Sequence, residues 1–366
     1  MTVGAGAPRL DKVIQTEHRL LLGDSRDLSG IPRESVDLVV TSPPYPMIRM
    51  WDELFSLLNP EVAAALGRQD GPVAFELMHA ELEKVWRQLW SLLKAGGWLC
   101  LNVGDATRRI GESFRLYANQ ARITQSLQRQ GFQTLPPILW RKQTNAPNKF
   151  LGSGMLPAGA YVTLEHEYIL IFRKGTGRRF EPGEEAENRR RSALFWEERN
   201  QWYSDLWDFK GIRQSLNQAG VRQRSAAFPF ELAYRLIHMY SVRGDRVLDP
   251  FLGTGTTMFA AMAAGRNSIG VEIDAELGAV VDLECGRVPR LAAERVSRRL
   301  EEHLAFIEEY QAARGEARHR HRRYGFAVVT GQETDLVLDR VRSVALESPG
   351  VYRVGYEELA PPGARA

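Results

Sequence analysis

Two spacings of apolar residues alternate along the chain. Short runs rich in Val, Ile and Leu stand at 19–22 (RLLL), 35–40 (SVDLVV), 98–103 (WLCLNV), 138–142 (ILWRK), 168–172 (YILIF), 246–249 (RVLD) and 268–273 (SIGVEI). Each reads as a strand bounded by turn residues. Between them, apolar residues recur every three or four positions. Phe75, Met78, Leu82, Val85, Trp86, Leu89 and Leu93 form one such stripe. It predicts a helix over 73–94 that stops at Lys94 and Gly96-Gly97. Further helices are expected over 114–130, 229–241, 256–264 and 287–314. Strands alternating with helices predict an α/β fold, a parallel sheet covered on both faces. Residues 1–18 read as a lead-in. The tail (FAVVT, a short helix over 332–346, then VYRV) reads as a small appended αβ unit.

Composition narrows the class. The 366 residues are 44% apolar and 25% charged, ordinary for a globular chain able to bury a large core. Only Cys100 and Cys285 are present, which excludes a disulfide scaffold and a Cys-rich zinc site. No run approaches the roughly 18 apolar residues of a membrane helix. The first residues carry no apolar signal core, so a cytoplasmic protein is expected. The net charge, 48 basic minus 45 acidic residues, is only +3. Residues 173–224 differ locally, with 12 Lys/Arg against 8 Asp/Glu and three of the eight tryptophans.

Two loops carry candidate chemistry. Val247 to Thr257 reads as a strand, a Gly-rich turn and a helix start. Gly253 and Gly255 permit positive φ and close backbone approach. The helix beginning at Thr256 offers unpaired N–H groups. Glu272 ends the next predicted strand, where a carboxylate would accept hydrogen bonds from the ribose of a nucleotide-like cofactor. Position 258 is Met rather than the third glycine of the dinucleotide fingerprint, and no Walker lysine follows Gly255. Phosphate binding is therefore disfavoured. The plainer reading is a tight turn with no ligand; Glu272 and the Asp249-Pro250-Phe251 lead weigh against it.

The second loop is Thr41-Ser42-Pro43-Pro44-Tyr45-Pro46. Successive prolines remove backbone donors and leave carbonyl acceptors on a stiff loop at a strand's end. Ser42 adds a hydroxyl and Tyr45 an aromatic face. Together they can hold a planar group bearing an NH₂, such as a flipped nucleobase. The alternative is a Pro-rich turn with Tyr45 as core filling.

Taken together, these motifs resemble the amino-group DNA methyltransferases that use S-adenosylmethionine, over roughly residues 19–285. Ser42-Pro43-Pro44-Tyr45 matches the family's catalytic (S/D/N)-P-P-Y, and Asp249 to Thr257 matches its cofactor loop. Gly270-Val271-Glu272-Ile273-Asp274 matches the ribose-binding strand, and Gly23-Asp24 the acidic pair near the adenine. Leu93 to Gly97 and Glu165 to Leu170 match further blocks. Ala226-Ala227-Phe228-Pro229 resembles the segment that cups the methionine part of the cofactor. The catalytic loop precedes the cofactor loop by about 200 residues, the family's permuted beta order.

The resemblance implies a Rossmann-like methyltransferase sheet with helices on both faces. Its catalytic half would span 19–172 and its cofactor half 225–285, separated by a target-recognition region at 173–224. Residues 286–366 would form a helical and small αβ extension. Ser42, Pro43, Pro44 and Tyr45 are the implied catalytic residues. Asp24, Phe228, Asp249, Phe251, Gly253, Gly255, Thr256, Thr257 and Glu272 are the implied cofactor contacts. S-adenosylmethionine is the expected cofactor, S-adenosylhomocysteine its product, and no metal is expected. Serine before Pro-Pro-Tyr usually accompanies methylation at N4 of cytosine, aspartate or asparagine that at N6 of adenine.

The expected partner is double-stranded DNA, and a restriction–modification role implies a cognate restriction endonuclease. No membrane contact is expected, and the protein would act as a monomer or homodimer. Arg189, Arg190 and Arg191 with Trp202 are the candidate DNA contacts, against the alternative of a solvated charged face over a small core. RHRHRR at 318–323 reads equally as a phosphate contact or a linker charge run. His319 and His321 are not expected to bind metal. The resemblance thus implies a cytosine-N4 methyltransferase acting at a specific DNA sequence after base flipping, with a DNA adenine-N6 methyltransferase as the first alternative and an RNA or protein substrate, or a non-catalytic binding module, as further ones.

Overall fold

A computed structural model describes residues 15–142, 151–210 and 228–359. The expected contacts at Ala226 and Ala227, and residues 211–224 of the expected recognition region, lie outside the described residues. Among the described residues, one mixed sheet contains ten strands. In chain order these are β1 (Gln15–Leu22), β2 (Val36–Thr41), β3 (Leu93–Val103), β4 (Gln133–Arg141) and β5 (His166–Arg173). They continue as β6 (Leu206–Asp208), β7 (Arg246–Asp249), β8 (Asn267–Glu272), β9 (Asp339–Ser348) and β10 (Val351–Glu358). The spatial order is β6-β4-β5-β3-β2-β7-β8-β1-β10-β9.

The central strands β3, β2, β7, β8 and β1 are parallel, as their apolar runs predict. Both faces are buried, so alternate side chains enter different cores. Leu38, Val40, Cys100 and Val247 face one core; Val39, Leu99, Leu101 and Leu248 face the other. The first core is covered by α7 (Phe230–Tyr240), α8 (Thr256–Ala263), α9 (Ala275–Cys285) and α10 (Val288–Arg314). The second is covered by α1 (Asp52–Leu58), α2 (Pro60–Gly67), α3 (Gly71–Leu92) and α4 (Asn119–Arg129).

From β2 the chain moves outward to β3, and from β7 it moves the other way to β8. The crevice between the carboxyl ends of β2 and β7 is therefore a topological switch point, where open α/β sheets bind ligands. It brings the loop after Thr41 beside the loop after Asp249.

Two expectations are corrected. The stretch expected as a helix over 114–130 begins as a strand, Ser113–Tyr117, hairpinned to Ala106–Ile110 across a turn at Gly111. The helix α4 starts only at Asn119. The tail is not an αβ unit either. Residues 339–348 form strand β9, which pairs antiparallel with β10, and β10 pairs antiparallel with β1. Its alternation explains this: Tyr352, Val354 and Tyr356 are buried at every second position and close the first core.

Candidate active site at the sheet switch point

A cavity of about 420 Å³ opens at this crevice. Its size suits a nucleoside-sized ligand. Asp24, Ser42, Pro43, Pro44, Phe228, Asp249, Phe251, Gly253, Thr256 and Glu272 line it, so most of the residues expected from sequence converge. Gly255 holds φ +91 at the N-cap of α8, a left-handed conformation suited to glycine, and shapes the loop from behind.

The carboxylates in the wall are each held differently. Glu272 accepts hydrogen bonds from Gly253 N (2.7 Å) and Asp274 N (2.9 Å), and burial raises its pKa. Its carboxylate thereby fixes the Gly-rich loop while its remaining lone pairs stay available to ligand hydroxyls. Asp24 is paired with Arg26 at 2.7 Å. Burial opposes its charge, but the hydrogen bonds and charge of Arg26 outweigh that and hold Asp24 below the usual carboxylate range.

Asp249 is the most enclosed. It accepts from Thr41 Oγ1 and Thr257 Oγ1, both at 2.6 Å, and from Phe251 N at 3.0 Å. Burial lifts its pKa to about 6. Thr41 ends β2 and Thr257 lies in the first turn of α8, so Asp249 fastens the two loops together. Thr257, expected at the cofactor, acts through this bond rather than lining the cavity.

The Ser42–Tyr45 loop rests on a polar chain. Tyr45 Oη lies 3.0 Å from Ser42 Oγ and donates to Glu167 Oε2 at 3.0 Å. Asn102 Nδ2 donates to both Tyr45 Oη (2.9 Å) and Glu167 Oε2 (2.6 Å), and Lys142 forms an ion pair with Glu167. With the Tyr45 proton committed to Glu167, the Ser42 hydroxyl donates to Tyr45 and keeps its lone pairs free to accept. Tyr45 was expected as an open stacking face. Instead its ring is buried in the second core, outside the cavity lining. Burial and the Glu167 charge raise its pKa.

Sequence reading missed Asn102, Glu167 and Lys142 as a unit. The available signals were a lone polar residue near the end of an apolar strand and an acid just before another apolar run.

The expected DNA contacts are placed elsewhere. Arg189, Arg190 and Arg191 end α5 (Glu184–Arg191). Asn188 Nδ2 donates to Arg243 O, and Arg243 N donates to Ser192 Oγ. Arg243 precedes β7, so these arginines sit at the amino-terminal edge of the parallel strands, opposite the cavity. Arg189 covers the Phe180 ring, and Arg191 pairs with Glu358 at 2.9 Å. Trp202 ends α6 (Trp196–Trp202) and is 2% exposed in the first core, edge-on to Tyr234. An indole with that much apolar area is stabilised by leaving water, and it serves packing rather than a groove. The double variant Arg189→Ala with Arg190→Ala should keep DNA affinity within about twofold of wild type and leave its salt slope unchanged, because phosphate contacts are what set that slope. A slope reduced by about two in a salt titration would return these residues to the DNA face.

His321 is buried, with Nε2 against Leu336 O, and no metal-binding cluster exists among the described residues. No helix among them is long and apolar enough to cross a membrane.

The wall of the cavity is acidic, with Arg26 neutralised by Asp24 and Glu81. That suits a cationic ligand with ribose hydroxyls and disfavours phosphates, as S-adenosylmethionine requires. The DNA methylase family (N6_N4_Mtase) matches residues 36–280. The type II methyltransferase M.MthZI of Methanothermobacter thermautotrophicus is 48% identical, over 95% of this chain and 97% of its own. M.MjaI of Methanocaldococcus jannaschii is 48% identical, over 72% of this chain and 89% of its own. The Thermus thermophilus protein TTHA0409, solved with S-adenosyl-L-methionine, superimposes with a TM-score of 0.58 at 34% identity, over 74% of this chain and 95% of its own. Fold, cavity and relatives agree: the chain belongs to the N6/N4 DNA methylase family, as a DNA methyltransferase that uses S-adenosylmethionine.

Proposed function

We propose that this chain methylates the exocyclic N4 of cytosine at a specific sequence in duplex DNA, after flipping the base into the cavity. The observation that carries the reading is Ser42, which lines the cavity with its hydroxyl 3.0 Å from Tyr45 Oη. S-adenosylmethionine, when bound, supplies an electrophilic methyl group on a positively charged sulfur.

An exocyclic amine is a weak nucleophile because its lone pair is delocalised into the ring. Ser42 Oγ and a proline-loop carbonyl accept its hydrogens, favour a pyramidal nitrogen and stabilise the charge that develops there. As the amine proton passes to Ser42 Oγ, the Ser42 proton passes to Tyr45 Oη and the Tyr45 proton to Glu167 Oε2. Lys142 stands at the outer end of that chain. Pro43 and Pro44 keep the loop stiff, so the acceptors are positioned before the base arrives.

The relatives are named type II methyltransferases. On that ground we place the chain beside a cognate restriction endonuclease in the cytoplasm. The test is mass spectrometry of nucleosides from DNA of cells expressing the chain, with Ser42→Ala as the control. The expected result is N4-methylcytosine with wild type alone. N6-methyladenine would keep the mechanism and replace the base. Absence of both marks would overturn the reading.

A further inference from the structure

The catalytic face also carries an apolar fingertip. The chain leaves the sheet after β4 and returns at β5, with the excursion closed by Lys142 N donating to Glu165 O at 2.8 Å. Glu167, which anchors Tyr45, lies two residues beyond that closure. The excursion therefore rises from the end of the sheet that holds Ser42.

Its described part is a tight hairpin, Leu151–Gly152 paired with Ala160–Tyr161. Ser153 N donates to Gly159 O at 3.0 Å, Leu156 N to Ser153 O at 3.2 Å, and Ser153 Oγ to Leu156 O. Gly152 has φ +72, and a Cβ there would meet Gly159 O at 2.0 Å. These contacts give the tip a set shape. At that tip Met155 is 86% exposed and Leu156 71% exposed. No charged residue occurs between Leu151 and Leu164. The hairpin is also braced: Tyr161 packs on Phe114 at 4.6 Å between ring centroids. Phe114 belongs to the hairpin that carries Arg108, and Arg108 grips Asp52 of the cavity-lining helix α1 with two hydrogen bonds (2.6 and 2.7 Å).

Two large apolar side chains held in water on a braced, uncharged tip beside a DNA-modifying site fit one occupant. We propose that Met155 and Leu156 form a wedge that enters the DNA base stack and fills the gap left by the flipped target base. This rests on the reading that the base is flipped from duplex DNA. Apolar wedges of this kind hold unstacked steps open, and flipping is least costly where the base is already unpaired.

The test uses the full chain carrying Met155→Ser with Leu156→Ser, and a second variant, Met155→Leu with Leu156→Met, that keeps apolar bulk. Each is assayed on a duplex bearing the mapped target site and on the same duplex with the target base mispaired. The serine variant should lose on the order of tenfold or more in methylation of paired DNA and less than about twofold on mispaired DNA. Pyrrolocytosine at the target, paired with guanine, should brighten with wild type and not with this variant. The bulk-preserving variant should match wild type on both substrates. Equal loss on both duplexes, no loss on paired DNA, or failure of the bulk-preserving variant would each overturn the wedge. A wild-type chain that methylates neither duplex would instead sink the base-flipping methylation reading, and the wedge with it, before any variant is compared.

Discussion

Ser42→Ala will lower methyl-transfer turnover by about 10²–10³-fold while leaving S-adenosylmethionine affinity within about twofold. The reason is geometric. In the proposed mechanism Ser42 contributes an acceptor to the substrate amine, and that acceptor matters most as positive charge develops there. Glu272, at the end of β8, and the Gly253 turn after β7 stand apart from the Ser42 loop and keep their mutual hydrogen bond.

Stability should change little, because Ser42 is only partly buried and its one side-chain partner, Tyr45, retains Glu167 and Asn102. Single-turnover rates on duplex DNA and calorimetric titration of the cofactor separate the two quantities. Equal losses in both, in a folded variant, would show that Ser42 serves the cofactor site instead. Tyr45→Phe keeps the buried ring but removes the hydroxyl between Ser42 and Glu167. It should reduce turnover in the same direction by about a hundredfold, a general acid–base contribution at the low end.

Asp249→Asn will change the pH dependence of stability. The buried carboxyl is raised from the ordinary 3.8 to about 6. The folded state therefore holds this proton more tightly than the unfolded chain does. Its favourable contribution is fully present below about pH 4 and is lost as pH rises through 6. A shift of about two pK units corresponds to roughly 3 kcal/mol between those limits.

Asparagine has no charge to lose, so the stability difference between Asp249→Asn and wild type should move in the variant's favour from pH 4 to pH 7 and stay level above that. The amide can still accept from Thr41 and donate to Thr257, which keeps the two loops joined. Denaturant melts of both proteins across that range check it. A difference independent of pH would mean that Asp249 is ionised without cost in the fold.

The central strands and principal helices were legible because their signals are local. A run such as WLCLNV is a buried strand in any partnership, and the stripe from Phe75 to Leu89 can bury only one helical face. The cofactor loop was equally legible, since Asp249 to Thr257 carries its turn glycines and helix start in one contiguous stretch. The clearest misreadings involved partners. Arg189 to Arg191 and Trp202 look like a nucleic-acid face as letters. Only the path of the chain beneath the sheet shows the arginines at its far edge and the indole inside a core. The residues at 339–348 carry spacing compatible with either a helix or a strand, and pairing of β10 with β1 decided for the strand.

The sequence by itself determined the central strands and the principal helices, which loop can cradle a nucleoside and which loop can accept hydrogens from an amine. Those properties belong to residues a few positions apart. The tertiary structure alone decided that the two loops meet, that Asp249 bonds Thr41 across 208 positions, and that Ser42 is backed by Tyr45 and by Glu167 a further 122 positions from Tyr45. Strand order in a sheet and burial of a polar group depend on which distant surfaces close against each other. No local spacing encodes that choice.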